Sequence, residues 1–578
     1  MQGSDSAGRI FDGMAQHRWR VRPRDDSKAA QLAAELGISR VLARILIARG
    51  YTEPEDAYRF LNPSLADLSN PSLLPDIEPA VRRLAQAVER REPVLVYGDY
   101  DVDGVTATAL WLTTLRRLGV PAQPYLPNRE QEGYDLHPNA IAAAQRIGAQ
   151  LVLTCDCGTR ALQAVDALNA AGLEVIITDH HEPSDRLPHA LAVVNPKRVD
   201  SQYPFRELSG VGVSFRVAEA LLMARNLARN GLYNTMLDLV ALGTVADVMP
   251  LVGENRILVK YGLERLHQTR RVGLQALKQV AGVKRCPTAR DIGFGLAPRM
   301  NAAGRLEDAT LALRLLLEED KQTAQQIAQT LDAHNRARQA LQEAAVQEAI
   351  AQIERENLAR HRALVVHSSN WRHGIVGLVA GKLRERYYRP VAAVTIEDGV
   401  ARGSIRSIPE FNLTALLAHI KPLCLKCGGH AAAGGFAVAL EQFDALRERI
   451  TDFANAHLTD DDLVPTLDID QEIAPSEATL RLLQELNMME PFGAGNERPL
   501  FLCRGVEVLG SRADRNGKHL FLTVRGNGGV ATDAVLWGGG DYLLEPQTHL
   551  DLVFTLEEDA YFGYGAVRWV IHDFEETN

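Results

Sequence analysis

Short apolar runs that end in acidic or histidine residues are the feature of this sequence that most constrains its fold. The runs VLVYG, LVLT and VIIT are continuous rather than alternating, which is typical of strands buried on both faces of a parallel sheet. Helix-like segments such as TATALWLTTLRRLG and ALQAVDALNAAG separate them. This order predicts a doubly wound α/β domain from Val94 to about Gly253.

Acidic and histidine side chains follow these runs: Asp99, Asp101, Asp103, Asp156, Asp179, His180, His181 and, in LGTVADVMPL, Asp247. In open α/β sheets, ligands bind at the carboxyl ends of strands, so distant segments can deliver their acids to one crevice. Carboxylates packed together repel unless cations neutralise them, and oxygen ligands with imidazole suit Mn²⁺ or Mg²⁺. Each aspartate alone has the alternative interpretation of a turn or helix-cap residue. Together they predict a two-metal hydrolase centre.

Two sets of motifs resemble a known superfamily. GDYDVDGVT, TCDCGT, TDHHEP and LGTVADVMPL resemble the successive motifs of the DHH phosphoesterases. NWRHGIVGLVAGKL, ARGSIRS and CGGHAAAGGF resemble the companion DHHA1 domain of the nuclease and phosphodiesterase branches. Their order and spacing and the total length are most similar to the bacterial branch of single-strand-specific 5′-to-3′ exodeoxyribonucleases.

The resemblance and the composition together predict a multidomain α/β chain. We expect an N-terminal helical region at 1–85, a DHH catalytic domain at 86–317, a connecting helix at 318–362, a DHHA1 domain at 363–458 and an OB-fold-like β-barrel at 459–578. The segment 318–362 has no Gly or Pro and is dense in good helix formers, so one helix of up to about 65 Å is predicted. The resemblance implies that this helix joins two domains around a cleft for an extended strand.

The resemblance also assigns roles to the acidic and histidine residues. It implies five ligands of two Mn²⁺ or Mg²⁺ ions, with Asp156 bridging them: Asp101, Asp103, Asp156, His180 and Asp247. Placing Asp247 beside the others rests on the resemblance, because its segment is compatible with a helix or a strand. His181 would bind a metal or contact the scissile phosphate, and Asp179 would orient an imidazole. Asp99 is a further candidate ligand, although some members carry histidine near this position.

A second set of candidates would bind a 5′-terminal phosphate. Arginine forks suit phosphate oxygens, and the candidates are Ser404, Arg406 and either Arg299 or Arg305. Gly428 and Gly429 offer backbone that an anion can approach closely, and His430 adds an imidazole donor. His373 either assists or has a structural role. Such a pocket would admit only a strand end and so set the polarity of degradation.

Charge and cysteine content limit other functions. The net charge of −10 argues against a uniformly basic nucleic-acid protein, although a local basic path remains compatible with it. Cys424, Cys427 and His430 form a CLKCGGH cluster, but a structural zinc site normally needs four ligands and no second CxxC accompanies this one. No run of about twenty apolar residues and no apolar signal core in MQGSDSAGRIFDG are present, so a cytoplasmic location without a membrane span is expected.

The sequence therefore predicts a metal-dependent 5′-to-3′ exonuclease of single-stranded DNA. The resemblance implies a role in recombination and repair, with single-strand-binding protein and a helicase as partners, and a monomer. In the barrel, Trp537 and Tyr561 are the candidates for exposed stacking aromatics. The alternatives are a DHH phosphodiesterase for short oligonucleotides or cyclic dinucleotides, and a non-catalytic nucleic-acid-binding scaffold.

Overall fold

The computed structural model describes residues 17–128, 132–133, 135–306, 309–526, 529, 531–558 and 567–577, except for the side chains of residues 305 and 306. The chain divides into two compact units. The first comprises Arg59–Arg338 with Met489–Glu497 and is called the sheet unit. The second comprises Met1–Tyr58, Gln339–Met488 and Arg498–Asn578 and is called the barrel unit.

The described part of the N-terminal region contains three helices, and it begins with a strand that the sequence pattern did not indicate. Its elements are β1 (Arg18–Val21), α1 (Asp26–Leu36), α2 (Arg40–Ala48) and α3 (Pro54–Leu61). Asp25 caps α1 by accepting the Lys28 N–H, and Gly37 ends the helix in the left-handed conformation. Strand β1 pairs in parallel with a strand more than 440 residues later, Thr466–Ile469. Such a distant partner leaves no local signal.

The sheet unit contains a five-stranded parallel sheet. Its strands are β2 (Val94–Gly98), β3 (Ala122–Tyr125), β4 (Leu151–Cys155), β5 (Glu174–Thr178) and β6 (Ala192–Val194). They lie in the order β3-β2-β4-β5-β6, so the order reverses between β2 and β4. In doubly wound sheets this switch point is where ligands bind, at the carboxyl ends of the strands.

Helices cover both faces of this sheet and extend the unit. They are α4 (Ile77–Arg90), α5 (Val102–Arg117), α6 (Ala140–Ile147), α7 (Leu162–Ala170), α8 (Gly210–Ala224), α9 (Asn230–Ala246), α10 (Gly253–His267), α11 (Val272–Val280), α12 (Ala289–Asp291), α13 (Ala297–Leu306) and α14 (Thr310–Leu317), with a π-helical turn at Ile292–Leu296. Helices α5 and α8 are buried along most of their length and pack on each other. Asp247 caps the carboxyl end of α9, so the segment before it is a helix.

The long helix α15 runs from Lys321 to Arg355. It is ten residues shorter than the predicted segment of 318–362 and is about 52 Å long at 1.5 Å per residue. It begins after Asp320, whose carboxylate accepts the Thr323 N–H in an N-cap. It ends where Asn357 takes the left-handed conformation, with φ of 51°.

The barrel unit contains a mixed five-stranded sheet, in the order β10-β11-β9-β8-β7. Its elements are β7 (Leu364–Ser368), α16 (His373–Tyr387), β8 (Val391–Glu397), β9 (Val400–Arg406), α17 (Leu413–Ile420), β10 (Lys426–Gly429), β11 (Ala433–Ala439) and α18 (Phe443–His457). Its core is apolar and lies between the sheet and the helices, with Val394, Ile405 and Leu416 among its buried residues.

The C-terminal strands close into a five-stranded barrel, as predicted. The elements are β12 (Thr466–Ile469), β13 (Gln471–Glu472), α19 (Leu480–Asn487), β14 (Phe501–Ala513), β15 (Leu520–Arg525), β16 (Thr532–Leu536), β17 (His549–Glu558) and β18 (Val567–Thr577). The order β14-β15-β16-β18-β17 is closed by pairing of β17 with β14. Phe554 stacks on Trp569 inside it with ring centroids 4.0 Å apart.

Candidate metal centre

The predicted ligands converge at the carboxyl edge of the parallel sheet. Three groups of side chains form there, and within each group the ligand atoms all lie within 4.8 Å of one another. The groups are Asp99 with Asp101 and Asp156, Asp103 with His180 and Asp247, and Asp156 with His180 and His181. Asp156 and His180 each belong to two of these groups. In the part of the chain that the structure describes, no other set of three metal-binding side chains is this compact. The arrangement suits divalent cations, and the Asp156 carboxylate is available to two of the groups.

The loop after β2 places three acids within five residues. The Asp99 N–H donates to the Cys155 carbonyl at 3.2 Å, which continues the parallel ladder between β2 and β4. Asp101 caps α5, because its Oδ1 accepts the N–H groups of Asp103 (2.9 Å) and Gly104 (3.1 Å). A Cβ at Gly104 would lie 2.6 Å from the Asp99 backbone, so only glycine permits this tight turn.

Asp103 is buried and held from a second element. Its two carboxylate oxygens accept the N–H groups of Gly210 (2.7 Å) and Val211 (2.9 Å) at the start of α8. Gly210 also allows the helix to approach Asp156, because a Cβ at this position would overlap that carboxylate. Gly210 was not among the predicted site residues. The sequence signal that could have identified it is Ser209, a typical helix N-cap residue that precedes a Gly-rich helix start. In the structure the Ser209 hydroxyl accepts the Gly212 N–H.

Asp156 connects the groups and has an unusual backbone. It follows β4 with φ of 64°, and its N–H donates to the Thr178 carbonyl on β5 at 2.8 Å. Its Oδ1 lies 3.0 Å from His180 Nε2 and 3.8 Å from His181 Nδ1. His180 Nε2 is also 3.5 Å from Asp247 Oδ2 and 3.9 Å from Asp103 Oδ2. One imidazole nitrogen therefore lies among three carboxylates.

Asp179 orients the histidine pair. Its Oδ1 accepts the N–H groups of His180 (2.7 Å) and His181 (3.1 Å) and lies 2.8 Å from His181 Nδ1. Its Oδ2 accepts the Thr159 N–H at 2.9 Å. These contacts hold the pKa of Asp179 below its usual range despite its burial. Burial alone would lower the pKa of His181, but the bond to Asp179 and neighbouring negative charges raise it to about 9.

The buried carboxylates repel one another. Burial and the charge of Asp101 raise the pKa of Asp103 to about 7, against the bonds from Val211 and Gly210. Burial and neighbouring aspartates also raise the pKa values of Asp156 and Asp247 well above the usual range. Burial and the charge of His181 lower the pKa of His180 to about 3, so it is a neutral imidazole able to bind a metal. This donor set fits hard divalent cations.

Two of the candidate phosphate-binding residues lie side by side in the barrel unit. Ser404 and Arg406 are two residues apart on β9, and Arg406 Nη1 donates to Ser404 Oγ at 2.8 Å. The backbone of α16 passes close to both, because a Cβ at Gly377 would lie 2.8 Å from Arg406 Nη2 and 3.1 Å from Ser404 Oγ. His373 is exposed and is the first residue of α16.

The glycine motif lies on the neighbouring strands of the same sheet. Gly428 and Gly429 on β10 pair with Gly435 and Gly434 on β11, and Gly435 pairs in turn with Ser404 on β9. The exposed His430 follows β10, and its N–H donates to the Ala433 carbonyl at 2.9 Å to close the turn. The structure thus brings together Ser404, Arg406, Gly428, Gly429 and His430 at one region of a sheet.

The two alternative arginines belong to the sheet unit. Arg299 Nε pairs with Asp332 Oδ1 at 2.9 Å, and its Nη1 donates to the Gly295 carbonyl at 2.7 Å. Its guanidinium therefore has protein partners that fix the π-helical turn. Arg305 has no described side chain, so that candidate lies outside the described residues.

The remaining candidates are the cysteines of the CLKCGGH cluster and two aromatic residues of the barrel. Cys424 and Cys427 are free thiols, and their sulfur atoms donate to the backbone carbonyls of Ile420 and Leu417. They form no compact ligand group with His430 among the described residues. Trp537 is 46% exposed on the barrel, whereas Tyr561 lies outside the described residues.

Three family models match successive segments of the chain, in the order of the predicted domains. Residues 93–244 match the DHH family N-terminal domain, 361–456 match the DHHA1 domain, and 469–573 match the RecJ OB domain. A single-stranded-DNA-specific exonuclease RecJ of Dickeya dadantii is 35% identical over 92% of this chain and 95% of its own length. This chain belongs to the RecJ family.

Other RecJ proteins extend the comparison. The RecJ exonuclease of Bacillus subtilis is 37% identical over 88% of this chain, which spans only 64% of the length of that relative. Crystal structures of RecJ from Thermus thermophilus match 97% of the chain, with TM-scores of 0.84 for the Mn²⁺ complex and 0.78 for the Mg²⁺ complex. Their identities to this chain are 31% and 30%. RecJ structures are therefore known with both of the metals predicted here.

Within the described segments of this RecJ-family chain, every helix is too short or too polar to cross a bilayer.

Proposed function

We propose that this chain is a metal-dependent exonuclease that degrades single-stranded DNA from the 5′ end and releases nucleotides. The observation that carries the proposal is the convergence of two ligand groups that share Asp156. Asp99 and Asp101 complete one group, and His180 and His181 complete the other, while His180 also belongs to a third group with Asp103 and Asp247. Two divalent cations held there would activate a water molecule and stabilise the charge of the attacked phosphoryl group. Membership of the RecJ family supports single-stranded DNA as the substrate.

His181 supplies a positive charge at this site. Its ring is 37% exposed, and its Nδ1 contacts Asp179, so a contact with substrate would use Nε2. The pKa of about 9 keeps the imidazole protonated at neutral pH in the metal-free protein. We assign His181 to the scissile phosphate, where an imidazolium would donate a hydrogen bond to a phosphoryl oxygen.

The 5′ end would bind in the barrel unit at Ser404 and Arg406. The Arg406 guanidinium is preorganised by its bond to Ser404, and the Gly428–Gly429 backbone lies on the same sheet. His430 and His373 are exposed, and their imidazole groups would add hydrogen-bond donors to a bound phosphate. A pocket that accepts only a terminal phosphate would select the 5′ end of a strand, which would account for 5′-to-3′ polarity. Arg299 is already paired, so we assign it to positioning the π-helical turn.

An aromatic and cationic platform on the barrel would hold the single strand. The Trp537 ring contacts His519 edge-on at a centroid distance of 4.9 Å, and the Arg568 guanidinium lies 5.7 Å from its centroid. Nearby, the Arg512 guanidinium lies 4.7 Å from the Phe521 ring centroid. Exposed aromatic rings with arginines are suited to stack bases without sequence preference.

A polarity assay tests the proposal. The purified chain is incubated with Mn²⁺ or Mg²⁺ and single-stranded DNA that carries nuclease-resistant linkages at either the 5′ or the 3′ end. Blocking by 5′ protection alone is expected, with nucleotides as products. Intact DNA with both metals would refute the exonuclease, and blocking by 3′ protection alone would refute the polarity. We further propose, from family membership, a monomer that acts in the cytoplasm in recombination and repair with a helicase and single-strand-binding protein.

A further inference from the structure

Asp135 lies beside the metal centre but outside the predicted ligand set. It belongs to the loop between β3 and α6 and has φ of 82°, a conformation that L-residues rarely adopt. Tyr97 holds the end of this loop at residues 135 and 137, because its hydroxyl donates to the Asp135 carbonyl at 3.1 Å and accepts the His137 N–H at 3.1 Å. Tyr97 is buried on β2, two residues before Asp99. These two residues are thus held to the strand that precedes the first acids.

The carboxylate of Asp135 reaches the loop that carries Asp156. Its Oδ1 accepts the Gly158 N–H at 2.7 Å and the Leu136 N–H at 2.9 Å. Asp156 and Gly158 both have positive φ, 64° and 110°. A non-glycine residue in this conformation is strained and persists only where its surroundings determine it. The bond from Gly158 to Asp135 is one of the contacts that determine it.

A second carboxylate holds the next residue of the same loop. Asp179 Oδ2 accepts the Thr159 N–H at 2.9 Å, so two consecutive N–H groups, of Gly158 and Thr159, are each bound by an aspartate. The Thr154 hydroxyl adds a third restraint by donating to the Cys157 carbonyl at 2.7 Å. Asp135 and Asp179 therefore restrain Gly158 and Thr159, the two consecutive residues that follow Cys157 in the Asp156 loop.

We propose that Asp135 is a positioning residue of the metal centre, whose Oδ1 fixes the loop that presents the Asp156 carboxylate to both ligand groups. This inference rests on the proposed metal-dependent function. The role requires a hydrogen-bond acceptor rather than a negative charge. Asparagine at this position would therefore preserve the role of Asp135, because it tolerates positive φ and its side-chain carbonyl oxygen accepts the same N–H.

The test compares Asp135→Asn with Asp135→Gly in the full chain. Glycine removes the acceptor but relieves the positive φ, so loss of folding is not expected and is checked by the melting temperature. The Mn²⁺ affinity is measured by calorimetry without substrate, together with kcat and KM for single-stranded DNA. We expect Asp135→Gly to weaken Mn²⁺ binding by about 10- to 100-fold, as loss of an outer-shell partner does. Asp135→Asn should bind Mn²⁺ within about threefold of the wild type, because its side-chain carbonyl accepts the same N–H groups.

Excess metal supplies a further readout. Raising the Mn²⁺ concentration should restore most of the activity of Asp135→Gly, because the ligands themselves are intact. Equal Mn²⁺ affinity in Asp135→Gly and the wild type would overturn the inference, as would an equal loss in Asp135→Asn. Absence of Mn²⁺ binding by the wild type would instead refute the proposed metal-dependent function.

Discussion

His180 Nε2 lies 3.0 Å from Asp156 Oδ1, yet neither atom makes a hydrogen bond with any described residue. Both side chains are buried, so water does not readily satisfy them. Buried polar atoms without partners are costly, and a neutral imidazole next to a carboxylate is a common pair of metal ligands. The relationship is the one expected of two ligands that share a cation.

Replacing Asp156 with asparagine should lower the exonuclease activity but raise the stability of the metal-free protein. The change removes the shared carboxylate, and since metal stabilisation is worth several kcal/mol, exonuclease activity should fall by roughly 10³-fold or more. The metal-free protein should melt at a higher temperature at pH 8, because one of the mutually repelling buried acids is removed. Asparagine tolerates the positive φ of this position. Substantial remaining activity would argue against Asp156 as the bridging ligand.

Metal affinity should depend on pH through the raised carboxyl pKa values. With its pKa of about 7, Asp103 holds a proton below neutral pH in the metal-free protein, and a cation must displace it. Mn²⁺ affinity should therefore fall as the pH drops from 8 to 6, by up to about tenfold per pH unit for each proton released. Calorimetry in buffers of different ionisation enthalpy measures those protons. Binding that neither releases protons nor changes over this range would contradict the prediction.

The same shift predicts how the stability of the metal-free protein varies with pH. A carboxyl group has a pKa of about 4 in the unfolded chain, whereas the pKa of Asp103 in the folded protein is about 7. This difference gives a stabilising contribution that is fully present below about pH 4. This contribution is lost as the pH rises through about 7. The increase in melting temperature on adding Mn²⁺ should consequently be larger at pH 8 than at pH 6, and the opposite order would count against this assignment.

Substituting Asp179 with asparagine should move the alkaline limit of activity. Asp179 maintains the raised pKa of His181, so without its charge the imidazole loses its proton at lower pH. If an imidazolium contacts the phosphate, the alkaline limb of the kcat/KM profile should shift downward by one unit or more, and activity should recover toward pH 6. A profile that falls uniformly without shifting would indicate that His181 acts in another protonation state.

Changing Arg406 to alanine should impair binding of a strand end more than the chemical step. Loss of a charge-assisted hydrogen bond, worth about 1.5 to 3 kcal/mol, should raise KM for 5′-phosphorylated single strands by roughly 10- to 100-fold. Cleavage of a dinucleotide without a 5′ phosphate should change little. Lys382→Ala, which removes an exposed cation later in α16, serves as the matched control. Equal losses on both substrates would exclude Arg406 from an end-binding pocket.

Much of the metal centre could be predicted from the sequence because strand ends of a parallel sheet meet at one edge. Asp101, Asp156 and His180 lie within three residues of the ends of β2, β4 and β5, and the apolar runs are sufficient to place them there. Asp247 needed the family resemblance, since it caps a helix instead of following a strand. The structure brings all of these residues together within one unit.

Other features depend on tertiary contacts that leave no local pattern. Strand β3 was missed because Gln123 and Pro124 interrupt the apolar pattern of an edge strand. The pairing of Arg299 with Asp332 joins residues 33 positions apart and could not be read from composition. The role inferred for Asp135 depends on a positive φ and on a bond to Gly158, neither of which a sequence pattern specifies.

The most direct test of the central claim is a Mn²⁺ titration followed by electron paramagnetic resonance. Two ions that share the Asp156 carboxylate should bind to each chain and give an exchange-coupled spectrum. Asp156→Asn should lose the coupling and bind at least one ion more weakly. A single uncoupled Mn²⁺ per wild-type chain at saturation would contradict a two-metal centre built on Asp156.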